Sequence, residues 1–161
     1  MKTKVLIIKL GYSETLDHKI GDTPSLGDTL RTTPILFAIK EKYPDSFIVW
    51  LGAKETEPLI EGISMIDRVM IWDDFVPFQL MREKFDVLIN LEKVPGVCAL
   101  SDMIDAWVKY GFRFDGVMGT YHAYEKGLQF IEYIKTKQGL NKSGKSWQQV
   151  LIEMLDVKWK K

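Results

Sequence analysis

Ser25-Leu26-Gly27-Asp28-Thr29-Leu30-Arg31-Thr32-Thr33-Pro34 comes after the apolar run Val5-Leu6-Ile7-Ile8-Lys9-Leu10 and leads into an amphipathic run ending near Tyr43. The apolar run reads as a buried strand, and the later stretch as a glycine-containing loop opening a helix. That order places Asp28 at the carboxyl edge of a strand, where open α/β sheets keep their ligand sites. A carboxylate there can take a proton from a bound hydroxyl.

Outward from this stretch the same alternation continues. Phe47–Leu51, Arg68–Trp72 and Phe85–Leu91 are rich in Val, Ile, Leu and aromatics with little polar alternation, as strands covered on both faces are. Helical patterns lie between them, at Thr56–Gly62 with Pro58 in its first turn, at Val76–Lys84 and at Ala99–Tyr110. Strands alternating with helices predict a Rossmann-like, mostly parallel α/β sheet flanked by helices, as one domain over residues 1–161. Pro34 leaves two courses open: one helix from Gly27-Asp28 that kinks there, or a first turn that ends and a second start capped by Thr33.

Beyond Phe114 a long helical run, Tyr124–Thr136, is expected, then a polar break from Gln138 to Lys145. Ser146 caps a last helix, Trp147–Leu155, with Val150, Leu151, Met154 and Leu155 as its apolar face.

Composition narrows the function classes. Twenty-two basic residues balance twenty-two acidic ones, so bulk charge does not argue for a nucleic-acid partner. Cys98 is the one cysteine, so no intrachain disulfide forms and a reducing, cytoplasmic setting is expected. Lys9 ends the first apolar run too early for a membrane span or signal segment. No metal site is expected: His18 and His122 are isolated, and neither pairs with Cys98 at ligand spacing. No G-x-G-x-x-G or P-loop follows the first strand, which makes a generic nucleotide-binding domain the weakest reading.

Two readings of Asp28 stand at this point. It can serve as a base, or it can cap the helix, where free N–H groups would lower its basicity. Gly27 either lets a ligand approach the backbone or supplies a positive φ. Ser25, Thr32 and Thr33 can bond a sugar or turn inward as local caps. Arg31 can hold an anionic group or simply be solvated. The aromatics Tyr110, Phe112, Phe114, Tyr121 and Tyr124 can stack on sugars, although core packing is their ordinary use. The tail Lys158-Trp159-Lys160-Lys161 can touch a membrane surface or fray into solvent.

Taken together, these features resemble glycosyltransferase family 9, the ADP-heptose:lipopolysaccharide heptosyltransferases and their relatives. The resemblance is carried by Lys4–Leu10 and Ser25–Pro34, then by Pro58-Leu59-Ile60-Glu61-Gly62, Ile66-Asp67-Arg68-Val69, Phe85–Leu91 and Ser146–Leu151. It implies the N-terminal, acceptor-side half of a GT-B fold, with residues 146–161 as the interdomain helix and tail. Asp28 is then the catalytic base of an inverting, metal-free transfer, and Ser25, Gly27, Arg31 and Thr32 bind substrate.

The resemblance further implies no cofactor on this chain, because the nucleotide-sugar donor binds in a domain that is missing here. The expected partners are a saccharide or lipid-linked saccharide acceptor, met at the inner membrane face, and a chain that supplies the donor half. Alone, the chain is expected to be inactive. The alternative is a non-catalytic Rossmann-like module that has lost the donor half. One departure stands out: fourteen residues from Gly11 to Pro24 connect strand to motif, against about 2–6 in an ordinary βα connection. That long polar connection is expected to be mobile, and the acceptor need not be a lipid A core.

Overall fold

β1 (Thr3–Ile8) buries Val5, Leu6, Ile7 and Ile8 completely, on both of its faces, as only a strand covered by helices on each side does. In this computed structural model, residues 1–12, 24–135 and 144–160 are described, with backbone alone at 132–135. The expectations for the Gly11–Pro24 connection and for His18 fall almost wholly on residues 13–23, and most of the 138–145 break on 136–143; both lie outside the described residues.

β2 (Ser46–Gly52) and β4 (Lys84–Asn90) flank β1 in parallel, with Ile8 opposite Leu51 on one side and Asn90 on the other. β3 (Arg68–Ile71) extends the sheet beyond β2, and β5 (Asp105–Asp115) extends it beyond β4, both in parallel. β6 (Thr120–Ala123) closes the far edge antiparallel to β5, giving the order β3-β2-β1-β4-β5-β6. The chain winds outward in both directions from β1, so the switch in winding lies between β1 and β4. Gly111 in β5 has φ +89°, and a Cβ there would lie 2.0 Å from the Asn90 carbonyl oxygen, so no other residue fits beside β4.

Helices cover both faces. On one, α2 (Ile35–Lys42), α3 (Glu57–Ile60), α6 (Leu128–Lys135) and α7 (Trp147–Met154) pack Ile35, Leu36, Ile39, Ile60, Phe130, Trp147 and Leu151 against Val5, Ile7, Ile48, Trp50 and Ile89. On the other, α4 (Val76–Leu80) and α5 (Pro95–Met103) set Val76, Leu80, Val97 and Leu100 against Leu6, Ile8, Val49, Leu51 and Leu88. At about 25 cal/mol per Å² of apolar surface removed from water, these two layers are the main source of stability.

The four expected strands are present within one or two residues. The helix expected over Ala99–Tyr110 is not. α5 ends at Met103, and Asp105 opens the eleven-residue strand β5. Pro34 separates α1 (Leu26–Thr32) from α2, so the chain makes two helices. Thr33 does not cap the second one; its hydroxyl donates to the Leu30 carbonyl at 2.8 Å.

The aromatics after α5 sit on β5 and β6, with Tyr124 just past β6, and belong mostly to the core. Phe112 lies edge-on to Tyr121 and stacks on Phe130, which in turn meets Trp147 at 5.0 Å. The C-terminal segment is held as far as Val157, and Lys158 and Lys160 beyond it are exposed. Lys42 Nζ donates to the Leu155 carbonyl at 2.7 Å, Val157 is buried, and Lys160 reaches Glu41 at 3.3 Å. No helix is long and apolar enough to cross a membrane among the described residues.

Candidate functional site

The site grows from the end of β1. Val5 and Ile7 point toward the face covered by α2, and Lys9, two residues further on, continues that row with a charge. Its backbone still closes the ladder, donating to the Leu51 carbonyl at 3.0 Å. Past that point the neighbouring strands diverge, and the Leu10 and Gly11 amides have no ladder partner. Glu92, just beyond β4, supplies one: its Oε1 accepts from Leu10 N at 2.6 Å and from Gly11 N at 2.7 Å. A side chain from one strand exit thus clamps the other across the switch point.

The turn carrying Glu92 is fixed by Asn90. The Asn90 side chain accepts from Glu92 N at 3.0 Å and donates to the Glu92 carbonyl at 3.2 Å and the Phe112 carbonyl at 2.9 Å. Cys98, buried in α5, donates its thiol to the same Glu92 carbonyl at 3.1 Å. Burial pushes that thiol up to about 12, so it is inert at neutral pH.

α1 comes to this place with its polarity reversed. Asp28, Thr29 and Thr32 face inward, whereas Leu26 and Leu30 face solvent. A helix that buries its polar face serves the groups it meets there rather than the apolar core. Ser25 is the N-cap, its hydroxyl accepting from Asp28 N at 3.2 Å. The capping role weighed for Asp28 therefore belongs to Ser25, and the Asp28 carboxylate turns to Lys9. Lys9 Nζ lies 2.6 Å from Asp28 Oδ2 and 3.9 Å from Glu92 Oε1, with Lys9 and Glu92 fully buried and Asp28 only 3% exposed. One ammonium thus serves two carboxyls. Burial raises the Glu92 carboxyl above its ordinary range, although Lys9 and the Gly11 and Leu10 amides pull it down; Asp28, as a like charge, adds to the rise.

The other expected site residues fall around this pair. Arg31 is more than half exposed, with Nη2 3.6 Å from Asp28 Oδ1, an ion pair longer than a hydrogen bond. Thr32 is buried, and its hydroxyl donates to the Asp28 carbonyl at 2.9 Å, the inward of its two options. Gly27 has no positive φ, which removes the conformational reading. Among the described residues a Cβ there would meet nothing nearer than Ser25 Oγ at 4.0 Å.

Sequence reasoning missed Lys9 and Glu92. Each is a charged residue at the end of an otherwise apolar buried run, and a charge so placed is nearly always paired. That was the available signal. Among the described residues, no group of three or more His, Cys, Asp or Glu is placed to hold a metal ion. Two open clefts of about 420 and 260 Å³ flank the 156–160 segment, and none of Lys9, Asp28 or Glu92 lines either.

Solved structures share this architecture. A glycosyl transferase family 9 protein from Veillonella parvula DSM 2008 superposes with a TM-score of 0.52 at 19% identity, covering 70% of this chain and 32% of that one. The E. coli heptosyltransferase WaaC with ADP gives a TM-score of 0.52 at 17% identity, covering 68% of this chain and 35% of that one. WaaC with ADP-2-deoxy-2-fluoro heptose gives 0.50 at 16% identity, with 68% and 36% covered. At these identities the likeness shows the fold, and the chain spans about a third of each matched structure's length. No protein-family model and no curated protein matches the chain.

Proposed function

We propose that this chain is the acceptor-binding, base-carrying half of an inverting glycosyltransferase that moves a heptose-like sugar from a nucleotide sugar to a bacterial saccharide. One observation carries the proposal: a sheet of glycosyltransferase type places the Asp28 carboxylate at the switch point, on a helix that turns its polar face inward. In this chemistry Asp28 takes the proton of an acceptor hydroxyl while that oxygen bonds to the anomeric carbon. The bond from that carbon to the nucleoside diphosphate breaks at the same time, and the configuration inverts.

The surrounding residues have roles that follow from their positions. Lys9 orients the carboxylate by its contact with Oδ2, and Arg31 lies on the side of Oδ1. No described residue crowds Gly27, which gives the acceptor its approach, and Ser25 and Thr32 hold α1 in register around it. The donor half, on a partner chain or a further domain, completes the transfer. A cytoplasmic setting, with the acceptor presented at the inner membrane face, fits this chemistry.

A second reading, a non-catalytic binding module, is favoured by the depth of the Lys9–Asp28 pair, because a buried ion pair also serves structure alone. Both readings place a saccharide at Asp28, and they part at turnover. The test for the shared claim is a titration of the chain with lipopolysaccharide core oligosaccharides and, separately, with ADP-sugars, followed by amide chemical shifts. Saccharide-induced shifts at Gly27, Asp28 and Arg31 are expected, without response to ADP-sugars. Shifts there from ADP-sugars alone would overturn it in favour of a nucleotide site.

A further inference from the structure

We propose that Glu92 is a positioning residue for Asp28, acting through two routes: the Lys9 ammonium that both carboxyls share, and the Gly11 backbone on which α1 begins. The proposal rests on the reading of Asp28 as the base, yet its geometry can be tested without any transfer.

The first route is electrostatic. Glu92 Oε1 lies 3.9 Å from the Lys9 ammonium, whose hydrogen bond goes to Asp28 Oδ2. Among the described residues the charged groups facing Glu92 are Lys9 at the end of β1 and Asp28 on α1; from α5 the Cys98 thiol bonds its carbonyl. Glu92 Oε2 is buried and has no hydrogen-bond partner among the described residues. An ionised Glu92 attracts the ammonium more strongly than a neutral one does, and so competes with Asp28 for it.

The second route is mechanical. Glu92 Oε1 grips Gly11 N at 2.7 Å, and the Gly11 carbonyl accepts from Ser25 N at 2.8 Å, which is the N-cap of the helix that carries Asp28. Gly11 sits at φ +91°, and a Cβ there would lie 3.0 Å from the Ser25 carbonyl oxygen. Strand exit and helix start are therefore in direct contact, and the grip of Glu92 on one sets the place of the other.

The experiment is a pH titration of the chain, labelled for the Asp28 and Glu92 carboxyl carbons and the Lys9 Nζ nitrogen, followed by NMR. In the wild-type chain the Asp28 and Lys9 signals are expected to move at the pH where Glu92 itself titrates. In Glu92→Gln, which keeps an oxygen acceptor for the Leu10 and Gly11 amides, that movement should vanish while the amide spectrum remains that of the folded chain. Asp28 and Lys9 signals that ignore the titration of Glu92 in the wild-type chain, or that keep the same movement in Glu92→Gln, would overturn the proposal. The wild-type titration decides even if the variant does not fold. Absence of sugar transfer would bear on the proposed function and leave this result untouched.

Discussion

Lys9, at the exit of the central strand, and Asp28, on the first helix, meet at 2.6 Å with neither side chain more than 3% exposed. A pair this deep is a weak source of net stability, because desolvation consumes most of its Coulomb gain. Breaking it by removing one partner is another matter, since a bare charge stays behind.

Lys9→Met should accordingly destabilise the chain by about 3–5 kcal/mol, because Asp28 and Glu92 would then face one another without the buried ammonium between them. Combining it with Asp28→Asn should recover most of that loss. Thermal denaturation of both variants checks this. Losses that simply add would mean the two side chains are not energetically paired.

Glu83 gives the chain an acid limit. Its partial burial alone would raise its pKa, but hydrogen bonds from Arg68, Lys4 and Gln79 hold it down at about 2, against an ordinary 4.5. A depressed carboxyl contributes stability above its unfolded pKa and loses it as pH falls toward the folded value. The loss should run from about pH 4.5 down to 2, and Glu83→Gln should remove about 1–2 kcal/mol at neutral pH while flattening the slope in that window. A wild-type slope preserved in Glu83→Gln would place the acid sensitivity elsewhere.

Gly27→Ala separates folding from binding. The position lies in the first turn of α1 with ordinary helical geometry and no described residue crowding it, so alanine should raise stability by about 0.4–1 kcal/mol. If an acceptor sugar approaches the backbone there, the added methyl should weaken saccharide binding about tenfold. Isothermal titration and a melting curve on one sample check both. Unchanged affinity would move the acceptor away from Gly27.

Three of the first four strands were legible because Val5–Ile8, Phe47–Leu51 and Val87–Leu91 are apolar without alternation, a pattern that a two-sided parallel sheet imposes. β5 was not. Its first half has β4 on one side and no described strand on the other, so Trp107 stands 89% exposed while Val108 and Tyr110 turn inward. Continuing from Leu100, Met103 and Ile104, those apolar residues also satisfy a helical period, and only tertiary pairing chooses between the two. Asp28 was visible through its motif. Its partner was not, because Lys9 sits inside a strand-like run and Glu92 reaches it from more than eighty residues away, as the Leu10 N–Glu92 separation of 82 shows. Sequence spacing carries no trace of a contact closed by sheet order. The cap on α1 stayed open between Ser25 and Asp28 for a simpler reason: both are good caps, and which one turns to the backbone depends on whether the other has a buried cation to meet.

The most direct measurement is the transfer rate of Asp28→Asn, with the donor half supplied in trans or by fusion. It is made at a temperature where circular dichroism shows the variant folded, because the lost contact with Lys9 lowers stability by itself. Asparagine keeps the shape of the side chain but cannot take a proton, so a base at this position predicts a loss of about two to four orders of magnitude in rate. Transfer near the wild-type rate by folded Asp28→Asn would contradict the role assigned to this carboxylate and leave the Lys9–Asp28 pair as a structural one.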